Sequence, residues 1–422
     1  MVIRQTAVMP HPKRTRYSII NEQDLNMTDI INFRQGSTDL LSEYDEDEKK
    51  IDFIKSRITE LFNMKNIYFL FGSGTSNGAI PVMKDLFAKV KANVAKLAKE
   101  QSALFDNIKL KEETDFEELL GILYSQKIFL ENLTTPRDVE LNNCKKLIAE
   151  IEKTIFNEIN VDIETYSKIL EVYKKFYQKV SLRNRDLSRI NIFTTNNDLF
   201  SETALDSINI NYINGFIGGL NKFFNPAFFN YSFSKRMDTS IDKYEPVENM
   251  VYLYKIHGSI NWIEDKSNKN SFFDISEVVS KNEILYKEDN NVLIYPTPTK
   301  QDKSLGSPYT ELFREFQKKL LEPHSVLFII GYGFNDSHVN NIIHQALATN
   351  SSINIVIFKE LNDKIKLSKI DDSRVFKIWG KYKGKKINYF DFITDNFIPD
   401  VNQYKSSNDI LSRFIENIKA SK

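Results

Sequence analysis

The chain has 422 residues, with 57 basic and 57 acidic side chains, so its formal net charge is zero. That balance argues against a strongly basic nucleic-acid binder and against an acidic tail. Hydrophobic residues at 41% and aromatics at 12% suffice to bury a sizeable core, and the length predicts about two to three domains, or one large α/β domain with an insertion. The single cysteine, Cys144, excludes a disulfide framework and a thiolate zinc site within one chain and fits a reducing compartment.

The first residues, Met1 to Ser18, carry basic side chains without an apolar stretch behind them, unlike a secretory signal. The longest apolar strings, Ile67 to Phe71 and Val326 to Ile330, fall well short of the ~20 residues a membrane helix requires. A soluble, cytoplasmic protein is expected. Residues 1–60 read as a polar arm ending in a charged run and a helical pattern. Asn66 to Phe71 is a short apolar run stopped by Gly72, as in a buried strand feeding a glycine turn. Similar runs recur at Ile190 to Phe193, Ile210 to Ile213, Val251 to Ile256, Val292 to Tyr295, Val326 to Ile330, Ile353 to Phe358 and Val375 to Trp379. Helical patterns lie between several of them. The alternation predicts an α/β fold with a mostly parallel sheet covered by helices on both faces.

Between the first two strands, apolar stripes at helical spacing run through Leu86 to Leu97, Phe116 to Leu123, Cys144 to Ile159 and Tyr166 to Val180. They predict a helical insertion over about residues 86–185 within a sheet domain spanning 61–360. Cys144 lies on one of these stripes as a small buried residue. Residues 361–422 predict a strand and a terminal helix near Ile410 to Ile418.

Four polar clusters stand at predicted strand ends, where open α/β sheets bind ligands. Gly72-Ser73-Gly74-Thr75-Ser76-Asn77-Gly78 follows one strand: glycines there let backbone N–H groups approach phosphate oxygens, and the hydroxyls add donors. No Gly-Lys-Ser/Thr follows, so it is not a Walker A loop, and Gly78 stands one residue too far for the dinucleotide fingerprint. Thr194-Thr195-Asn196-Asn197-Asp198 ends a second strand, as either cleft residues or an Asx turn. Lys255 to Trp262 ends a third and contains His257-Gly258, a histidine placed to act as a base. His11, His324, His338 and His344 lack such a position. Gly331-Tyr332-Gly333-Phe334-Asn335-Asp336-Ser337 ends a fourth, with Asp336 or Ser337 suited to cap the helix that follows.

These residues resemble the sirtuin (silent information regulator) family in its divergent bacterial branch. Gly72 to Ser76 followed by Ile80-Pro81 resembles the sirtuin glycine loop, Thr194 to Asp198 the Thr-Gln-Asn-Ile-Asp motif, and His257-Gly258 the catalytic His-Gly. The strings at Lys255 to Trp262 and Gly331 to Asp336 resemble the sirtuin-like domains of prokaryotic antiphage defence proteins. The resemblance spans about Asn66 to Lys359, with the helical insertion unmatched, and implies a Rossmann-like fold that cleaves NAD⁺. It implies that Asn196 and His257 are catalytic. It implies that Gly72, Ser73, Gly74, Thr75, Ser76, Thr195, Asp198, Gly331, Gly333 and Asp336 hold the NAD⁺. It further implies a homo-oligomer and a partner such as a HerA-type ATPase or another phage sensor. Two departures stand out: no cysteine follows His257, so the family's four-cysteine zinc module is absent, and Val82-Met83-Lys84 replaces the Asp-Phe-Arg expected after Ile-Pro. Both favour an NAD⁺ glycohydrolase that depletes NAD⁺ during phage infection. The alternatives are an NAD-dependent protein deacylase and a non-enzymatic NAD⁺ or ADP-ribose sensor.

Overall fold

In the computed structural model the described residues are 30–110, 116–181, 183, 187–237, 243–265, 273–287, 291–293, 308–362 and 365–399. In chain order the elements are β1 (Ile31–Gln35), β2 (Thr38–Asp39), α1 (Asp47–Leu61) and β3 (Asn66–Phe71), then α2 (Met83–Val94), α3 (Lys99–Asp106), α4 (Phe116–Glu131), α5 (Asp138–Ile159) and α6 (Ser167–Ser181). There follow β4 (Ile190–Thr194), α7 (Phe200–Ser207), β5 (Asn211–Ile213), β6 (Phe216–Ile217), β7 (Lys222–Phe224), β8 (Ser234–Arg236), β9 (Tyr244–Pro246), β10 (Met250–Lys255), β11 (Gly258–Glu264), β12 (Ile275–Glu277) and β13 (Asn291–Leu293). The chain closes with α8 (Tyr309–Leu320), β14 (Ser325–Ile330), α9 (Ser337–Thr349), β15 (Ile353–Phe358), α10 (Lys366–Lys369), β16 (Val375–Tyr382), β17 (Lys385–Lys386) and α11 (Phe390–Asn396).

The main sheet runs β2-β1-β16-β15-β14-β3-β4-β10-β5, with β17 beside β16. Every pairing from β16 to β5 is parallel; β1, β2 and β17 add antiparallel edges. This is the mostly parallel sheet that the short apolar runs predict. Alternate residues of one strand enter different cores because successive side chains point to opposite faces. Ile67, Phe69 and Phe71 join the core under α1 to α7 and α11, while Tyr68 and Leu70 join the one under α8 and α9. With both faces covered, β3 is buried along its whole length, which explains its uninterrupted apolar sequence.

The five helices between β3 and β4 lie in the predicted helical stretch. They pack onto the sheet through α6, whose Phe176 ring stands edge-on to Phe69 at 5.0 Å between centroids. The charged run before residue 60 leads into α1, and β1 extends the sheet beside β16. Two expectations differ from the structure. The run at Val292 to Tyr295 contributes β13 to a second, antiparallel sheet, β13-β11-β12-β7-β6, and not to the parallel sheet. The segment after His257, read only as the polar end of the preceding strand, forms β11 of that same sheet directly. Strands of two or three residues, such as β6 and β7, are too short to show an alternation in sequence. The predicted terminal helix at Ile410 to Ile418 lies outside the described residues, as do residues 1–29.

Candidate active site at the carboxyl edge of the sheet

The four polar clusters follow β3, β4, β10 and β14, and these are four neighbouring strands in the order β14-β3-β4-β10. Their last residues are in register: Ile330 pairs with Phe71, Phe71 with Thr194, and Thr194 with Lys255. Parallel pairing in this register brings all four clusters level on one edge. From β3 the chain builds outward to β4, β10 and β5 on one side; after β14 it builds to β15 and β16 on the other. The point where the order reverses is where such sheets open a ligand crevice.

The loop after β3 is a single 3₁₀ turn, Ser73–Ser76, with Ser73 and Gly74 exposed and Thr75 and Ser76 buried. Its glycines have a structural reason that differs from phosphate approach. The Gly74 N–H donates to the Gly331 carbonyl at 2.9 Å. A Cβ on Gly72 would stand 2.6 Å from Tyr332 Cα, and one on Gly74 would stand 2.7 Å from Gly331 Cα. Gly331 has φ +67° and a Cβ there would meet the Thr75 nitrogen at 2.6 Å. The two glycine loops therefore need glycine in order to touch each other. Gly333 carries no such constraint; its Cβ would meet only the Asn335 side chain, at 3.5 Å and beyond.

Beneath this crossing lies a network of buried hydroxyls. The Thr75 hydroxyl donates to the Gly72 carbonyl at 2.9 Å and accepts from Tyr173 of α6 at 2.7 Å and from Asn196 Nδ2 at 3.0 Å. The Ser76 hydroxyl donates to Asp198 Oδ2 at 2.8 Å and lies 3.0 Å from the Tyr173 hydroxyl. Asp198 Oδ1 accepts the N–H of Phe200 at 3.1 Å, turning the chain into α7. Thr195 stays with β3: its N–H and hydroxyl both donate to the Phe71 carbonyl. Burial pushes the Tyr173 phenol well up, so it remains a hydrogen-bond donor.

Lys255 lies under the second cluster with only 1% of its surface exposed. Its Nζ is 3.0 Å from Glu202 Oε1 and donates to the Asp198 carbonyl. Glu202 Oε2 has no hydrogen-bond partner among the described residues. Burial pushes the carboxyls of Asp198 and Glu202 above their ordinary values, and the Lys255 charge offsets part of that rise. The Asn197 amide donates to the carbonyls of His257 at 2.8 Å and Gly258 at 3.1 Å, tying the second and third clusters together. Gly258 accommodates the sharp turn from β10 into β11 with φ +80°.

His257 Nε2 lies 2.8 Å from Asp336 Oδ2. Asp336 also caps α9, Oδ1 accepting the N–H groups of His338 at 2.8 Å and Val339 at 3.1 Å. The fourth loop is further held by Asn340, whose amide donates to the Phe334 carbonyl at 2.8 Å; Phe334 is in the left-handed region at φ +63°. All four clusters singled out in the sequence thus meet. Tyr173, Asn197, Glu202 and Lys255 also reach the site, and sequence reasoning gave them no role there. Tyr173 was placed only on an apolar stripe, and Lys255 is a charge at the end of a buried strand, the one local sign that it needs a partner. Among the described residues no three His, Cys, Asp or Glu side chains gather as a metal site.

Residues 190–380 match the family model described as a SIR2-like domain. Among solved structures, one from a study of the mechanism and regulation of Sir2 enzymes is 12% identical, with 86% of this chain and 99% of that chain covered and a TM-score of 0.38. Another, a Sir2 homologue mutant in complex with ADP-ribose, is 12% identical, with 83% and 98% covered and a TM-score of 0.37. No curated protein matches.

Proposed function

We propose, from the match of residues 190–380 to a SIR2-like domain model, that the chain is an NAD⁺ glycohydrolase, cleaving the bond between nicotinamide and ribose. The observation that supports this reading is the convergence of Asn196, Asp198 and His257 at the ends of two adjacent parallel strands, beside the crossing glycine loops. Cleavage of a glycosidic bond passes through an oxocarbenium-like state. The site must hold the carboxamide, place a nucleophilic water below the ring and exclude other nucleophiles. Asp198, half of whose hydrogen-bonding capacity goes to Ser76 and Phe200, is assigned to the carboxamide. Asn196 presents an amide that positions the water or a ribose hydroxyl. His257 accepts the proton of that hydroxyl. As the bond breaks its electron pair leaves with nicotinamide, the water oxygen bonds to the anomeric carbon in its place, and the proton that the water loses passes to solvent. The exposed backbone of Ser73 and Gly74 faces the phosphates in this assignment.

The test is nicotinamide release from NAD⁺ by the purified protein, with and without an acylated lysine peptide. Release without peptide is the expected result; turnover that requires the peptide makes it a deacylase, and tight NAD⁺ binding with no turnover makes it a sensor. The same proposal includes NAD⁺ depletion during phage infection by a homo-oligomer working with a sensing partner such as a HerA-type ATPase. Loss of plaque protection and of NAD⁺ depletion together in an Asn196→Ala strain is the outcome expected of it.

A further inference from the structure

We propose that Lys255 is a positioning residue for the site: its buried side chain clamps the main chain of Asn197 and Asp198 and so fixes where Asn196 and Asp198 stand relative to His257. The inference rests on the proposed bond cleavage for what the positioning serves, and on geometry alone for the clamp.

Strands β4 and β10 are in register up to Thr194 and Lys255, and the Ile256 N–H donates to the Thr194 carbonyl at 3.0 Å. There the ladder between them ends. The Thr195 N–H turns to the Phe71 carbonyl of β3, and the Asn196 N–H to the Thr194 hydroxyl at 3.0 Å. A chain that leaves a sheet in this way carries carbonyls that the ladder no longer serves, and buried carbonyls need donors. Lys255 supplies them. Its Nζ donates to the Asp198 carbonyl and, at 3.4 Å, to the Asn197 carbonyl, and lies 3.0 Å from Glu202 Oε1. The Asn197 carbonyl also accepts from the Ile260 N–H at 3.1 Å and the Ser259 hydroxyl at 3.4 Å, both of β11.

The distribution of the ammonium protons shows which partner governs Lys255. An ammonium has three donors. Two are directed to the turn and one to Glu202, whose Oε2 is left without a hydrogen-bond partner among the described residues. Engaging both carboxylate oxygens would serve a buried ion pair better, so the arrangement serves the turn first. Glu202 is then the counter-charge that lets an ammonium remain at 1% exposure. From the other side of the turn the Asn197 amide donates to the His257 carbonyl at 2.8 Å. The turn is therefore fastened to the end of β10 through both its main chain and its side chain, which fixes Asn196, Asp198 and His257 as one unit.

Lys255→Met keeps an unbranched chain, removes the donors and leaves the Glu202 carboxyl buried without its partner, so it should melt well below the unmodified protein. Lys255→Met/Glu202→Leu removes that carboxyl as well and should recover most of the melting temperature. It should not recover turnover: kcat/KM for nicotinamide release should stay down by about 10²-fold, the effect of misplacing reacting groups by about 1 Å. Affinity for ADP-ribose, measured by calorimetry, should stay close to that of the unmodified protein, because the crossing glycine loops are held by their own contacts. A crystal structure of the double variant reads the clamp without any turnover: the Asn197–Asp198 main chain should be displaced by about 1 Å and the Asn197 amide drawn off the His257 carbonyl. Recovery of turnover along with melting temperature overturns the proposal, as does a turn that stays in place. A double variant that fails to fold, or that loses stability and ADP-ribose binding together, makes Lys255 a purely structural residue and overturns it too. If the unmodified protein releases no nicotinamide while the turn is displaced in the variant, the clamp stands and the proposed reaction falls.

Discussion

Asn196 and Glu202 show how much at this site is decided by single side chains. The Asn196 amide donates to Thr75 at 3.0 Å and to Ser76 at 3.4 Å, so its removal costs two hydrogen bonds, about 1–2 kcal/mol of stability. Its proposed task in orienting a water or hydroxyl is far more demanding. Asn196→Ala should therefore unfold within a few degrees of the unmodified protein, bind NAD⁺ with similar affinity and lose on the order of 10²–10⁴ in turnover. Calorimetry beside nicotinamide release checks this, and a variant with near-normal turnover removes Asn196 from the mechanism. Glu202 makes a prediction about pH. Burial raises its carboxyl above the ordinary value of 4.5, so over the range just above that value the folded state holds a proton that the unfolded state has released. The contribution of Glu202 to stability is then greatest at low pH and declines as pH rises through the raised value. The difference in denaturation free energy between the unmodified protein and Glu202→Gln should shrink from pH 5 to pH 8. A difference that grows over that range would show that the Lys255 charge, 3.0 Å away, outweighs burial.

At the scale of elements, the site depends on two loops that cross without side chains between them. The loop after β3 and the loop after β14 approach so closely that Gly331 is required twice, by its φ of +67° and by the 2.6 Å contact its Cβ would make with the Thr75 nitrogen. Gly331→Ala should cost about 2 kcal/mol or more, from left-handed strain plus backbone displacement. Gly333→Ala, two residues on, meets only the Asn335 side chain at ordinary contact distance and should stay within about 0.5 kcal/mol of neutral. Urea denaturation of the two variants makes the comparison; equal losses would mean the loops do not pack as described. Helix α6 makes the second contact between elements. Tyr173 brings a hydroxyl from the helical stretch to Thr75 and Ser76, and its ring packs face to face with Phe200 at 5.6 Å and edge-on to Phe390 at 5.0 Å. The hydroxyl network under the glycine loops is thus completed from outside the strand ends.

For the whole molecule, the donor inventory predicts independence from metal. The chain has one cysteine, buried at Cys144 with its thiol donating to the Leu123 carbonyl, and five histidines spread along its length. Treatment with a strong zinc chelator should leave the melting temperature and NAD⁺ turnover unchanged; unfolding on chelation, with stoichiometric zinc released, would contradict the reading. How far the sequence could be read follows from the range over which its signals act. The strands were legible because a strand buried on both faces must be apolar without a break, as in Ile67 to Phe71 and Val326 to Ile330, and the ends of those strands were legible because glycine and polar residues stop the run. Asp336 was legible as a cap because a cap acts on its own helix. What the sequence left open are pairings between distant residues: Ser76 with Asp198, separated by 122 positions, Tyr173 with Thr75 by 98, and Asn197 with His257 by 60. So were the reassignment of the glycines to loop contact and the turn of Asp336 toward His257. Local propensity determines which residues begin and end a strand. Only the register of parallel strands and the packing of α6 and α9 against them decide which strand ends share an edge and which polar atoms are left to face one another.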